Sequence, residues 1–159
     1  IGEAGHFIDT IQYLLDSEPT EVFANTTSVE GMPEQDNTFL TIKFKNGSTC
    51  VIAYLADGEK KYPKAKIYIT GHGTNIEFDN FKSVTVFKNG KTFKKSFFTI
   101  DKGQKEEMTK LINSVKSGSN PIPFTSLLLS CYTTILAVKS IKNKRSYPIV
   151  IEDIFESSN

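Results

Sequence analysis

Leu40-Thr41-Ile42-Lys43-Phe44-Lys45-Asn46-Gly47-Ser48-Thr49-Cys50-Val51-Ile52-Ala53-Tyr54-Leu55 is the stretch that decides the architecture. From Leu40 to Lys45 apolar and polar side chains alternate, and a period of two puts one set on each face of a β-strand. Asn46-Gly47 follows, and a second β-rich run resumes at Thr49. Asn-Gly between two such runs is the strongest short hairpin signal, because both residues tolerate positive φ. The same device recurs at Asn89-Gly90, between Ser83–Phe87 and Thr92–Ile100. Glu21–Ser28, Lys66–Thr70 and Asn75–Phe78 are further strand candidates. About seven strands on short turns predict a mainly antiparallel, open sheet.

Outside this region the period changes to that of helices. Phe7, Ile8, Ile11, Leu14 and Leu15 recur at three- and four-residue steps, which predicts a helix over Ile1–Asp16. Pro19 disfavours helical geometry at Glu18, so that helix should stop near Ser17. A second helix is expected from Asp101, an N-cap with Gln104 in capping-box position. Its stripe is Met108, Leu111, Ile112 and Val115, and Gly118 suits its C-terminus. A third spans about Thr125 to Lys142, with Leu128, Cys131, Ile135, Leu136 and Val138 inward. Tyr147–Ile151 is a candidate edge strand, and Ser157–Asn159 a frayed end. The expected class is α+β, an open antiparallel sheet with helices packed on one face. With no repeat or linker, residues 1–159 read as a single domain. Glu30–Asn37 is its longest loop, a place where binding residues often sit.

Composition narrows the function classes. The 159 residues carry a net charge of +1 and no long run of like charge. A nucleic-acid binder usually shows a basic stripe, so nucleic acid is not an expected partner. Cys50 and Cys131 both sit in apolar company, which predicts two core thiols and favours a reducing, cytoplasmic setting. Neither has partners at metal-ligand spacing, so no metal is expected. No stretch reaches the roughly 18 consecutive apolar residues of a membrane span. The most apolar one, Phe124–Ile141, is interrupted by Ser126, Ser130, Thr133, Thr134 and Lys139, so no membrane is expected. The chain begins at Ile1 rather than methionine, so the missing signal peptide carries little information.

Few residues suggest chemistry. Gly71-His72-Gly73 lies between two strands and opens no helix, so it is no phosphate loop, and His72 reads as an exposed turn residue. No nucleophile elbow or Cys-x-x-Cys is present. The opening segment Ile1-Gly2-Glu3-Ala4-Gly5-His6-Phe7-Ile8-Asp9 is different. Glu3, His6, Asp9 or Thr10, and Tyr13 form a polar row on the first helix. Histidine exchanges protons near neutral pH, and Glu3 and Asp9 each lie one helical turn from it. On spacing alone, a polar helix face with one histidine is more often solvated than catalytic.

The same segment, Glu3 to Leu14, resembles the Gly-x-His-x-x-Asp helix that opens the C-terminal domain of the glucose–fructose oxidoreductase / inositol dehydrogenase (Gfo/Idh/MocA) family. Pro19-Thr20-Glu21-Val22-Phe23-Ala24 is similar to that family's Pro-x-x-Val-x-Ala strand. Phe44-Lys45-Asn46-Gly47-Ser48 resembles its hairpin, and Ile67 to Glu77 its Ile-x-Gly-x-x-Gly-x-Ile strand pair. Ile135 to Ser140 and Tyr147 to Ile151 match its closing pattern. The pieces occur in the family's order over nearly the whole chain. The opening wording is similar in particular to members fused behind a zinc-type alcohol-dehydrogenase-like region.

That resemblance implies a substrate-binding and oligomerisation half of an NAD(P)-dependent oxidoreductase acting on a hydroxyl of a sugar or nucleotide-sugar-like substrate. It implies an N-terminal Rossmann domain upstream of Ile1 that holds NAD or NADP, and a homo-oligomer formed through the open sheet face. His6 is then the acid/base or hydroxyl ligand, with Glu3 and Asp9 as substrate-binding candidates. The family often has aspartate four residues before this histidine, where Gly2 stands here, and Glu3 is offset by about 100° of helical rotation. The fragment alone is expected to be inactive. A non-catalytic oligomerisation or scaffold domain, or a small-ligand-binding module, is the alternative.

Overall fold

The structure is a computed structural model, and it describes residues 1–27, 36–99 and 102–156. In chain order the elements are α1 (Ala4–Leu15), β1 (Pro19–Thr26), β2 (Asn37–Phe44), β3 (Thr49–Leu55), β4 (Lys66–Gly71), β5 (Thr74–Asp79), β6 (Ser83–Lys88), β7 (Lys91–Ser96), α2 (Gln104–Ser117), α3 (Phe124–Asn143), β8 (Tyr147–Pro148) and α4 (Glu152–Glu156). The α+β class is as expected. The strands, however, form two four-stranded antiparallel sheets rather than one sheet of seven, with orders β3-β2-β1-β8 and β4-β5-β6-β7. Alternation identifies strands and tight turns pair neighbours. Residues 56–65 form no hairpin pairing β3 with β4, and β4 starts a separate ladder. The chain accordingly divides into two compact units, Ile1–Gly58 with Ile122–Asn159, and Glu59–Pro121.

In the first unit, β2 pairs with β3 and with β1, placing Leu40 opposite both Ile52 and Ala24, and Ile42 opposite Cys50 and Val22. One face of this sheet is closed by α3 and α1. Ile8, Val22, Ala24, Leu40, Ile42, Phe44, Leu136 and Ala137 make a continuous buried cluster. The six larger side chains, at ~1.5–3 kcal/mol each, supply the main drive for this unit to fold. The other face turns Phe23, Phe39, Val51 and Leu55 outward, all exposed. Tyr54 points the other way, toward α1. It meets Phe7 of α1 edge-to-face at a centroid distance of 6.4 Å. β8 is the short edge strand expected near Tyr147, paired with Glu21 and Val22 of β1.

The two Asn-Gly hairpins differ in detail. At Asn89-Gly90 both residues have positive φ, 52° and 69°, the two-residue turn expected. In Phe44–Ser48 only Gly47 does, at 85°. The Gly47 N–H donates to the Phe44 carbonyl at 2.9 Å, and the Phe44 N–H to the Ser48 carbonyl at 2.9 Å. This is the longer hairpin with a glycine bulge. Asn46 is spared the left-handed conformation and uses its side chain, accepting from the Ser48 N–H at 3.0 Å and donating to the Leu15 carbonyl at 3.2 Å. The turn thereby ties down the end of α1.

Two helix expectations change, and a third is untested. Capping by Asp101 lies outside the described residues. α2 starts after Gly103, whose φ is 76°, and its expected buried stripe is exposed, from Leu111 at 45% to Val115 at 75%. An amphipathic stripe is buried only where a second surface covers it, and Ser114 is the one buried residue of α2. In α3 the inward face holds Leu129, Ser130, Thr133, Leu136, Ala137 and Ser140. Cys131 and Ile135 are exposed, and Leu128 and Val138 half-buried. The small polar side chains face inward because they let α3 approach β1 closely. The Ala24 N–H donates to the Ser140 hydroxyl at 2.9 Å, and that hydroxyl donates to the Arg145 carbonyl at 2.6 Å. By length and composition α3 would be sufficient to cross a bilayer, although its sequence is interrupted by hydroxyl residues. Ser140 serves the packing against β1, and Ser130 and Thr134 that against α1.

Candidate functional site

The opening helix positions the candidate residues. Glu3 is the N-cap of α1, without a side-chain capping bond, and its carbonyl accepts the His6 N–H at 3.2 Å. Its carboxylate sits where the helix dipole favours negative charge, a structural role independent of any ligand. Thr10 satisfies its hydroxyl against the His6 carbonyl at 2.7 Å, the back-bonding that lets threonine sit within a helix. At the far end Asp16 takes the left-handed conformation, φ 46°, and closes the helix with its N–H on the Gln12 carbonyl.

Burial separates the helix into two sides. Ala4, Ile8 and Gln12 are buried, with Phe7, Ile11 and Leu15 packed against the core. Leu14, expected on the apolar face, is exposed. Glu3, His6, Thr10 and Tyr13 are exposed and Asp9 is half-buried. The polar row therefore exists as a solvent-facing surface. Among the described residues, the His6 imidazole has no hydrogen-bond or ion-pair partner, so neither Glu3 nor Asp9 orients it. A Cβ at Gly2 would meet nothing within 4 Å, so space does not dictate glycine there.

Residues that the sequence reading passed over hold this helix in place. Gln12 is 6% exposed. Its Nε2 donates to the Ser130 hydroxyl at 2.6 Å and to the Ser126 carbonyl at 3.4 Å, while Ser130 donates to the same carbonyl at 3.1 Å. Gly5 sits against Thr134, whose hydroxyl would lie 3.6 Å from a Cβ at that position. The signal was available: a polar side chain one turn after Ile8, inside the apolar stripe.

The remaining chemistry-bearing groups are dispersed. His72 has φ 48° in the β4–β5 turn and is exposed, as its sequence suggested. Cys50 and Cys131 are free thiols. Burial pushes the half-buried Cys50 up to about 11, and Cys131 is exposed rather than part of the core. No group of three or more His, Cys, Asp or Glu suited to a metal ion occurs among the described residues. Nor do the described residues form a dinucleotide cradle, since Gly71-His72-Gly73 closes a strand pair and leads into no helix.

A four-stranded sheet closed by helices on one face, with a histidine-bearing helix at its start, places the chain in the α+β class. Residues 4–77 match the family model described as the GFO/IDH/MocA C-terminal domain. That match covers just under half of the chain in sequence, and most of the chain's length is matched in fold by solved oxidoreductases. No curated protein matches it by sequence. Among solved structures it is similar to the aldose-aldose oxidoreductase of Caulobacter crescentus complexed with glycerol, at 18% identity and TM-score 0.71 over 91% of this chain and 45% of that one. An oxidoreductase from Agrobacterium radiobacter in complex with NAD+, L-tartaric acid and magnesium is 16% identical, TM-score 0.72, over 91% of this chain and 47% of that one. The UDP-N-acetylglucosamine 3-dehydrogenase of Acidithiobacillus ferrooxidans is 10% identical, TM-score 0.71, over 88% and 46%. The chain thus spans about half the length of the structures it matches, and at these identities the likeness is one of fold.

Proposed function

We propose that this chain is the substrate-binding half of an NAD(P)-dependent oxidoreductase acting on a hydroxyl of a sugar or nucleotide-sugar-like substrate. The observation that carries the reading is His6, exposed and unpaired among the described residues, on the helix that opens the family's C-terminal domain. A nucleotide-binding Rossmann domain outside this chain would hold NAD or NADP, and the isolated chain would be inactive. His6 takes up or returns the proton of the substrate hydroxyl, an exchange suited to imidazole near neutral pH. Glu3 and Asp9, one turn to either side, are the candidates for hydrogen bonds to other hydroxyls of the substrate. The free thiols accord with a reducing, cytoplasmic setting.

The experiment is His6→Ala in the full-length protein, assayed by NAD+ or NADP+ reduction with glucose and with UDP-N-acetylglucosamine. Turnover should fall by roughly 10²-fold or more, as it does when a general acid/base is removed. Unchanged turnover would sink the assignment of His6.

A second reading, an oligomerisation module without chemistry, draws on the exposed outward row Phe23, Phe39, Val51 and Leu55. A helix-free sheet face of this kind commonly binds a partner, here a second copy. The two readings are compatible, and catalysis by the intact protein would leave only the first complete.

A further inference from the structure

Resting on the reading of His6 as the proton-handling group, we propose that Gln12 is a positioning residue, whose buried amide sets the rotation of α1 about its axis and so the direction of the His6 imidazole. α1 touches α3 at two keyed points, Gly5 against Thr134 and Gln12 against Ser130 and Ser126. Seven residues separate Gly5 from Gln12, about 10 Å along the helix and within about 20° of the same direction. The two points therefore define a seam rather than a single pivot.

The chemistry of the two points differs. At Gly5 the approach is non-directional: even a Cβ there would lie 3.6 Å from the Thr134 hydroxyl, ordinary van der Waals distance, which tolerates sliding and rolling. The Gln12 contact is directional, with one amide supplying two donors to two acceptors on α3 that are themselves joined by the Ser130 hydroxyl. Burying an amide costs free energy unless its hydrogen bonds are met, so the helix is held at the azimuth where they are met. An apolar side chain at residue 12 would seal the core without imposing that azimuth. Ile8, Ile11 and Leu15 already provide the apolar contact.

His6 lies about 100–120° around α1 from the seam, on the exposed side. It depends on the seam for its direction, because no described side chain holds its ring. With a ring about 6 Å from the helix axis, a roll of about 15° displaces it by about 1.5 Å. Misplacement by about 1 Å can cost 10²-fold in rate.

The test uses the full-length protein, with NAD+ or NADP+ reduction by glucose and by UDP-N-acetylglucosamine as the assay. Gln12→Met keeps side-chain length and helix propensity while deleting both hydrogen bonds, and Ser130→Ala deletes the acceptor from the other side. Each should lower kcat about 10–100-fold and leave KM for the nicotinamide nucleotide unchanged. In a His6→Ala background neither change should lower kcat further, since a residue acting through His6 has nothing left to position. Two results overturn the inference while sparing the reading beneath it. One is wild-type kcat in both single variants; the other is a Gln12→Met loss that multiplies with that of His6→Ala. If His6→Ala itself keeps full turnover, or the parent protein turns over neither substrate, the reading fails and the inference with it.

Discussion

In the unit Ile1–Gly58 with Ile122–Asn159, the alternation of Leu40, Ile42 and Phe44 ends in burial. In Glu59–Pro121 an equally regular alternation, Ile67 with Ile69, Ile76 with Phe78, and Val84 with Val86, does not. Both units build a four-stranded antiparallel ladder with tight turns. No residue of β4–β7 is fully buried. Period-two patterning and turn chemistry specify a ladder and its register. Burial is a tertiary property and needs a cover, which α3 and α1 give to the first sheet. The second sheet keeps its apolar face half-exposed, and α2 keeps its stripe exposed.

The comparison can be broken by matched truncations in the two sheets. Ile42→Ala should cost roughly 2–5 kcal/mol, the range for a buried large-to-small change. Ile76→Ala should cost about 1 kcal/mol or less, because the half-buried side chain leaves little cavity. Denaturant unfolding read by hydrogen exchange in each unit measures both. An Ile76→Ala cost equal to that of Ile42→Ala would mean that a second molecule covers the sheet in solution.

The two cysteines sharpen the same contrast between covered and open positions. Burial holds the Cys50 thiol up at about 11 instead of 9.0. At pH 8 its thiolate fraction is then on the order of 10²-fold lower than that of an unshifted thiol, and alkylation by iodoacetamide should be slowed by about 10–100-fold relative to the exposed Cys131. The linkage sign follows. The folded state favours the protonated thiol, so the stability this contributes is full below pH 9 and is lost as pH rises toward 11. Equal alkylation rates of Cys50 and Cys131 in the folded protein would refute the burial of Cys50.

How far the sequence was legible follows from the same division. Helices, strands, turns and the α+β class are written in short-range periodicity, so α1, the hairpins, and the edge strand at Tyr147 were readable. The splitting of seven strands into two ladders was not, because nothing local says whether β3 and β4 pair. Nor was the exposure of Met108 and Val115, which depends on a surface that the stripe does not itself encode. Charge was read over the whole chain, where it nearly cancels. Divided by unit, thirteen lysines stand against six acidic residues in Glu59–Pro121, and six bases against twelve acids in the rest. Three of those lysines, Lys91, Lys94 and Lys95, lie on the edge strand β7, where they discourage addition of another strand. For the site, His6 was legible as a residue and through family resemblance. Gln12 was hidden because a lone glutamine in an apolar stripe looks like a lapse in the pattern until its acceptors on α3 are known.

A last contrast concerns two hydroxyls on the inward face of α3, Ser140 and Thr133, both at 0% exposure and two helical turns apart. Ser140 accepts from the Ala24 N–H and donates to the Arg145 carbonyl, so Ser140→Ala strands backbone groups on both sides and should cost about 1–3 kcal/mol. Among the described residues, Thr133 has no partner for its Oγ1. Its desolvation is uncompensated, and Thr133→Val keeps the branched shape and a similar helix propensity while removing the polar atom. Thr133→Val should therefore leave stability unchanged or raise it by up to about 1 kcal/mol, measured by the same denaturant unfolding. A loss of 1 kcal/mol or more would show that the hydroxyl is satisfied in solution, by a water or a shifted backbone carbonyl. Burial alone would have assigned both residues the same role. The opposite signs expected of the two substitutions come from where each hydroxyl's hydrogen bonds go, which is the quantity that decides whether a buried polar group fastens a helix to its sheet or only fills space beside it.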